Sequence, residues 1–291
     1  MAPAMKLLAI AGQTASGKSD LAMKLANTLD GEIICADSRT VFIGMDIATA
    51  KPSKEDRSLI PHWCLDLVEP GTAFSAYDFQ IAAKAAISNI QSRGKLPILV
   101  GGSGLYVDSV LYDLPLQPAR AVAQQLKDAS LDELKQMAKE QFPVEVLTPD
   151  TLGNRRRLER MLSGGYVPGS PLRRQLPPGT RFIGIMPDQE VLRKRIASRV
   201  VGMVKDGLLD EVESVGRSAK GESATAIAYR AFAEYLAGKA SVDDALVAFI
   251  QGDIRLAKKQ LTWFKRDPNI EWFKSGSEAF ATVADELSSI S

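Results

Sequence analysis

A single histidine, His62, stands in the 291-residue chain. That excludes a metal centre built on several histidines and any relay that passes a proton between two of them. The two cysteines, Cys35 and Cys64, are too far apart in sequence for a C-x-x-C pair. Apolar neighbours mark each as a core thiol. No apolar run approaches the ~20 residues that cross a bilayer. The first strand follows the N-terminus so closely that no signal peptide fits before it, and the expected compartment is the cytoplasm. An excess of one charge sign is missing too, since the net charge is only +1. The basic residues are nevertheless unevenly placed. Between Asn154 and Arg174 lie Arg155, Arg156, Arg157, Arg160, Arg173 and Arg174 against Glu159 alone. A second cluster holds Arg255, Lys258, Lys259, Lys265 and Arg266. Two basic clusters on a neutral chain point to an acidic partner; the plainer alternative is a pair of solvated helix faces.

The most informative stretch is Gly12-Gln13-Thr14-Ala15-Ser16-Gly17-Lys18-Ser19, which fits G-x-x-x-x-G-K-[ST]. An apolar run, Leu7–Ala11, precedes it as a buried parallel strand would. Leu21, Leu25 and Leu29 follow about one turn apart, with Gly31 as a stop. Strand, glycine loop and helix are the setting in which backbone N–H groups of residues 14–19 face one concave space at the positive end of a helix. Lys18 adds a positive charge, and the Ser19 hydroxyl is a candidate Mg²⁺ ligand. The chain is therefore expected to bind a di- or triphosphate. The loop does not say which bond breaks, because a kinase, an NTPase and an enzyme that expels pyrophosphate all use such a cradle.

Apolar periodicity predicts strands at Lys6–Ala11, Glu32–Ala36, Leu96–Gly101 and Arg181–Met186, with weaker ones at His62–Leu67 and Asn269–Phe273. Helices are expected at Ser19–Leu29, Asp78–Ser92, Tyr106–Leu111, Asp188–Val215, Ala224–Ala237 and Ser241–Phe264. Strand and helix alternate, so the expected fold is α/β, a doubly wound parallel sheet with ligands at the carboxyl ends of its strands. From Leu114-Pro115 to about Pro178 the sequence is helical and charged, with Leu131–Gln141, Arg155–Leu162 and a Gly/Pro-rich loop at Gly164–Pro171. This predicts a core domain of residues 1–114 and 179–291 and a helical insertion of residues 115–178.

Asp37 ends the second strand beside the phosphate loop, where a carboxylate can take a proton from a nucleophile or ligate Mg²⁺ through water. The competing reading is a helix N-cap. In the segment Ala36–Pro52, Val41, Phe42, Ile43 and Met45 call for burial, as the underside of a substrate loop or of an ordinary connection. Gly101-Gly102-Ser103-Gly104 follows a buried strand and opens a helix, which makes Ser103 a second anion-contacting candidate. Arg195 and Arg199 stand one turn apart, and either can clamp a leaving phosphate or face solvent.

These segments together resemble the tRNA dimethylallyltransferases, also called tRNA isopentenyltransferases. GQTASGKS resembles the family's GPTASGKS/T, and ADSRTVFIGMDIATAKP its D-S-x-x-x-Y-x-G-M/L-D-I-G-T-A-K-P. PHWCLDLVEP, FSAYDF, PILVGGSGLY, RIASRVVGMVKDGLLDEV, AIAYRAFAEYLAG and RLAKKQLTWFKRD follow in the family's order. The likeness covers roughly residues 5–114 and 181–275. Phe42 stands for the usual Tyr, Trp63 for a His, Ala48 and Ala228 for Gly, and Ser103 for Thr. The resemblance implies a sheet of P-loop NTPase type and transfer of a dimethylallyl group from dimethylallyl pyrophosphate to the exocyclic amine of the adenosine 3′ of a tRNA anticodon. The loop Gly12, Thr14, Ala15, Ser16, Gly17, Lys18 and Ser19 would then grip pyrophosphate with Mg²⁺, and Asp37 would be the general base. Ser103 and Arg199 would act beside the leaving group. The tRNA anticodon loop would meet Asp37, Ser38, Arg39, Thr40, Arg155, Arg156, Arg157, Lys258, Lys259, Gln260 and Trp263, by phosphate contacts and base stacking. The protein is expected to act as a monomer away from membranes. The rival readings are an adenine-nucleotide isopentenyltransferase, a small-molecule kinase using ATP, and a non-catalytic RNA-binding module.

Overall fold

A computed structural model describes residues 5–118, 124–163, 174–216, 219–221 and 223–288. Its centre is a six-stranded sheet, β1 (Leu7–Gly12), β2 (Gly31–Ala36), β3 (His62–Trp63), β4 (Leu96–Gly101), β5 (Thr180–Ile185) and β6 (Glu271–Phe273). All pairings are parallel, in the order β3-β2-β4-β1-β5-β6. The chain winds outward on one side of β1 and then, after β4, on the other. This reversal opens a crevice at the carboxyl ends of β1 and β4, where such sheets bind ligands.

Alternation along the strands explains the burial on both faces. Leu7, Ala9, Ala11, Ile34 and Leu99 pack under the helices Ala76–Ser92 and Gly104–Leu111. Leu8, Ile10, Ile33, Ile98, Ile183 and Ile185 pack under Lys18–Thr28 and Gly276–Ser288. Gly101 closes β4 where a Cβ would lie 2.0 Å from the Ala36 carbonyl oxygen. The obstacle is backbone, so relief requires the two strand ends to part. Gly101→Ala is expected to cost at the upper end of the ~1–3 kcal/mol of overpacked sites. Urea unfolding measures it, and an unchanged midpoint would show that the strands separate freely.

Four expected elements come out shorter or broken, among them the strand at Asn269–Phe273, which begins only at Glu271. The strand at His62–Leu67 stops at Trp63, because Cys64 (φ 63°) and Asp66 (φ 52°) turn the chain out of extended geometry. The helix at Asp188–Val215 is two helices, Gln189–Lys205 and Leu208–Gly216, broken at the left-handed Gly207 (φ 98°). The stretch Ala224–Ala237 is a 3-10 turn and two short helices, Ile227–Ala231 and Ala233–Leu236, joined at the fully buried Phe232. In the segment after Asp37, Val41, Phe42 and Met45 are buried as expected, but Ile43 is 40% exposed.

The inserted segment holds the helices Gln124–Asp128, Leu131–Gln141, Pro149–Leu152 and Arg155–Leu162. They share a separate small core of Leu134, Ala138, Val146, Leu147, Leu158 and Met161. The expected loop Gly164–Pro171 and Arg173 lie outside the described residues. The 23-residue helix Val242–Phe264 runs back across the carboxyl ends of the strands and completes the crevice.

Candidate active site

The phosphate loop is held from two sides. Ala15 (φ 59°) and Gly17 (φ 93°) are both left-handed, which folds the loop back over the start of the Lys18–Thr28 helix. Arg195 donates to the Ser16 carbonyl at 3.1 Å, so this arginine braces the loop and does not reach the crevice wall. On the other side Gln13 donates to the Ala257 carbonyl at 3.1 Å, and the Thr14 N–H donates to Gln260 Oε1 at 2.7 Å. The Ser16 N–H donates to the Gln13 carbonyl at 3.2 Å. Two of the amides expected to face a ligand are therefore already engaged. The Ser16 hydroxyl is buried with no partner among the described residues.

Thr14, Lys18, Asp37, Ser103, Arg199, Gln260 and Trp263 line one cavity of about 530 Å³. Lys18 donates to the Gln13 carbonyl at 3.3 Å, folded against its own loop. Burial pushes its pKa down to about 8, with Asp37 pulling it up and Arg199 pushing it further down. Asp37 accepts the Arg39 N–H at 2.8 Å in a local turn, and no helix follows that it could cap. Its second carboxylate oxygen has no hydrogen-bond donor among the described residues. The Ser103 hydroxyl accepts the Ser38 N–H at 3.0 Å, and the Ser103 N–H donates to the Ala36 carbonyl at 3.2 Å. The glycine turn after β4 thus fixes the turn that carries Asp37. A Cβ at Gly102 would lie 2.2 Å from Gln260 Nε2, and one at Gly104 2.2 Å from the Trp263 ring. Those glycines let the long helix close on the strand ends.

Arg199 donates from Nη1 to the Thr14 hydroxyl at 2.7 Å and from Nη2 to Asp253 Oδ2 at 2.6 Å. Burial raises the Asp253 pKa, and Arg199 holds it down. Trp263 donates its indole N–H to Asp108 at 3.0 Å and faces the cavity beside Arg160, Arg230, Arg255 and Lys259.

The expected site residues divide by position. Ser38 and Arg39 line the cavity, whereas Thr40 is buried behind them, donating to the Asp37 carbonyl at 3.3 Å. Gly12, Ala15, Ser16 and Gly17 form the loop but not the cavity wall, and Ser19 is exposed on the first helical turn. Arg155, Arg156, Arg157 and Lys258 lie outside the wall. Arg155 is engaged within the insertion, paired to Glu159 at 2.7 Å and donating to the Leu126 and Lys127 carbonyls. The insertion reaches the cavity through Arg160 instead. Sequence reasoning missed Asp253 and Arg230. A signal for Asp253 was present: it stands in phase with Ala245, Phe249 and Ala257 on the buried stripe of its helix, where a carboxylate needs a partner.

A glycine loop, a lysine, an arginine and a carboxylate around one crevice at the switch point define a P-loop-type enzyme site. The chain belongs to the IPP transferase family, whose model matches residues 40–267, and is by that membership a prenyl transferase. It is 36% identical to the tRNA dimethylallyltransferase of Geobacillus thermodenitrificans over 97% of this chain and 95% of that one. It is 38% identical to tRNA dimethylallyltransferase 1 of Pelobacter propionicus, over 96% and 95%. A solved tRNA isopentenylpyrophosphate transferase of Bacillus halodurans superimposes with a TM-score of 0.71 at 33% identity, covering 97% of both chains. The likeness therefore runs through the insertion as well as the core.

Proposed function

We propose that the chain transfers a dimethylallyl group from dimethylallyl pyrophosphate to the exocyclic amine of the adenosine 3′-adjacent to a tRNA anticodon. The observation that carries this is the convergence of Lys18, Asp37, Ser103 and Arg199 on one cavity rimmed by basic side chains. The adenine leaves its stack to enter that cavity, as a base must for chemistry at its amine. Asp37 takes the amine proton as the new C–N bond forms, and the allylic C–O bond breaks to release pyrophosphate. Negative charge grows on the leaving oxygens, and Lys18 and Arg199 are placed to meet it. Ser103 holds the Asp37 turn in register.

Among the described residues no cluster of three or more His, Cys, Asp or Glu side chains could cage a metal. The exposed Ser19 hydroxyl and the unpartnered Asp37 oxygen are nevertheless hard oxygen donors. They suit Mg²⁺, which keeps most of its shell for water and ligand oxygens. Ser19 would hold the ion directly and Asp37 through water, and the ion would neutralise pyrophosphate charge. The test is incubation with radiolabelled dimethylallyl pyrophosphate, Mg²⁺ and either tRNA or AMP. Label on tRNA alone supports the proposal. Label on AMP moves the protein to the nucleotide prenyltransferases, and label on neither overturns the reading.

Arg160, Arg230 and Lys259 at the cavity mouth are the proposed grip on tRNA phosphates, with Arg156 and Arg157 extending it along the insertion helix. Each single-strand phosphate contact contributes a slope of about −0.7 in log K against log salt. Replacing Arg160, Arg230 and Lys259 together by alanine is expected to flatten that slope by about 2, with donor binding unchanged. A wild-type slope in filter binding would move the tRNA path elsewhere.

A further inference from the structure

Asp253 is a buried carboxylate, 4% exposed, on the inner face of the Val242–Phe264 helix. Its backbone has little freedom, because a Cβ on the neighbouring Gly252 would lie 2.3 Å from Ile227 Cγ2. The helix is pressed against Ile227–Ala231 at that point. From this fixed position Asp253 takes Arg199 Nη2 at 2.6 Å, while Nη1 reaches Thr14 at 2.7 Å. Arg199 Nε is also buried, and it has no partner among the described residues. An unpaired buried N–H on a charged group is costly, so one left in place signals an incoming acceptor. Arg199 comes from a different helix, and its long side chain has many rotamers. Across the cavity stands a second carboxylate, Asp37, near enough to act electrostatically on Asp253. An arginine not held by Asp253 would be drawn towards the residue proposed to take the proton.

We propose that Asp253 is the positioning residue for Arg199: its carboxylate locks the guanidinium between itself and Thr14, keeps it off Asp37, and presents it to the departing pyrophosphate. The assignment rests on the reading of Arg199 as a pyrophosphate contact. Asp253 also borders the cavity, but with its carboxylate engaged by Arg199 at 2.6 Å the role assigned to it is exerted through Arg199.

The test is a double-mutant cycle by single-turnover kinetics on tRNA with radiolabelled dimethylallyl pyrophosphate. A misplaced contact of this kind costs about 10²-fold, so Asp253→Ala is expected to slow the step about 10- to 100-fold. KM for tRNA stays within about twofold, since uniform binding is untouched. Asp253→Asn keeps an oxygen that accepts the Arg199 N–H and is expected to recover the rate to within about fivefold. In the Arg199→Ala background, Asp253→Ala adds nothing, because groups acting as a unit are non-additive. Additive losses beside a slow Arg199→Ala overturn the role of Asp253 alone. A wild-type rate in Arg199→Ala overturns the reading of Arg199 itself. A wild-type rate in Asp253→Ala refutes positioning directly. Should Asp253→Ala fail to fold, Asp253→Ser, whose short side chain cannot reach Arg199, with and without Arg199→Ala completes the same cycle.

Discussion

Replacing Asp37 by alanine is expected to slow prenyl transfer to tRNA by ~10²–10⁴-fold, the usual loss on removing a general base, while inhibition by pyrophosphate changes far less, by the loss of the water-mediated hold on Mg²⁺ and of the Asp37 charge near Lys18. The amine of adenine is a weak nucleophile whose lone pair is delocalised into the ring, so its attack needs the proton taken as the bond forms. Asp37 has the geometry for this. One oxygen is fixed by the Arg39 N–H at 2.8 Å, and the turn is tied to the glycine loop through Ser103 at 3.0 Å. The other oxygen is left for the substrate. Asparagine at this position separates chemistry from structure, since its carbonyl still accepts the Arg39 N–H but has no basic oxygen. Single-turnover rates decide the matter. Near wild-type speed in Asp37→Asn would end the assignment of a base; loss in Asp37→Ala with full speed in Asp37→Asn would leave Asp37 only its turn.

The parts of this molecule that local chemistry dictates were legible in its sequence. Continuous apolar runs within Lys6–Ala11 and Leu96–Gly101 read as strands covered on both faces, and they form the neighbouring strands Leu7–Gly12 and Leu96–Gly101 at the centre of the sheet. The glycine loops after them follow from the strand-to-helix turns they must make. Positions set by long-range packing were harder to read. Gln260 looked like part of an RNA-facing basic segment, yet it is buried and its Oε1 accepts the Thr14 N–H, 246 residues away in sequence. The arginine run at Arg155–Arg157 looked like the obvious phosphate grip; Arg160, one turn beyond Arg156 on the same face, is the arginine of that helix that lines the cavity, while Arg155 is engaged within the insertion. Charge composition marks a basic element; only the register of a helix against its neighbours says which guanidinium points where.

Lys18→Ala is expected to lower turnover by ~10²–10³-fold, as removal of a donor to developing negative charge does, and to erase a pH dependence that wild type shows. In the free protein burial pushes the Lys18 pKa down to about 8, against an ordinary 10.5. The sign follows from which form the ligand prefers. Pyrophosphate binds the ammonium, and the ammonium dominates below about 8. Above that pH the neutral amine must first take up a proton, so affinity weakens by about tenfold per pH unit for one linked proton. Binding there should therefore draw a proton from the buffer, visible as a buffer-dependent heat in calorimetry. Pyrophosphate itself also ionises as pH rises, but that contribution is common to wild type and Lys18→Ala. The difference between the two inhibition profiles reads Lys18 alone. It should be flat below about 8 and close progressively above it, as the wild-type protein loses the charge that the variant never had. Parallel profiles across that range would mean that Lys18 stays charged throughout, and that burial against the Gln13 carbonyl does not govern its hold on the leaving group.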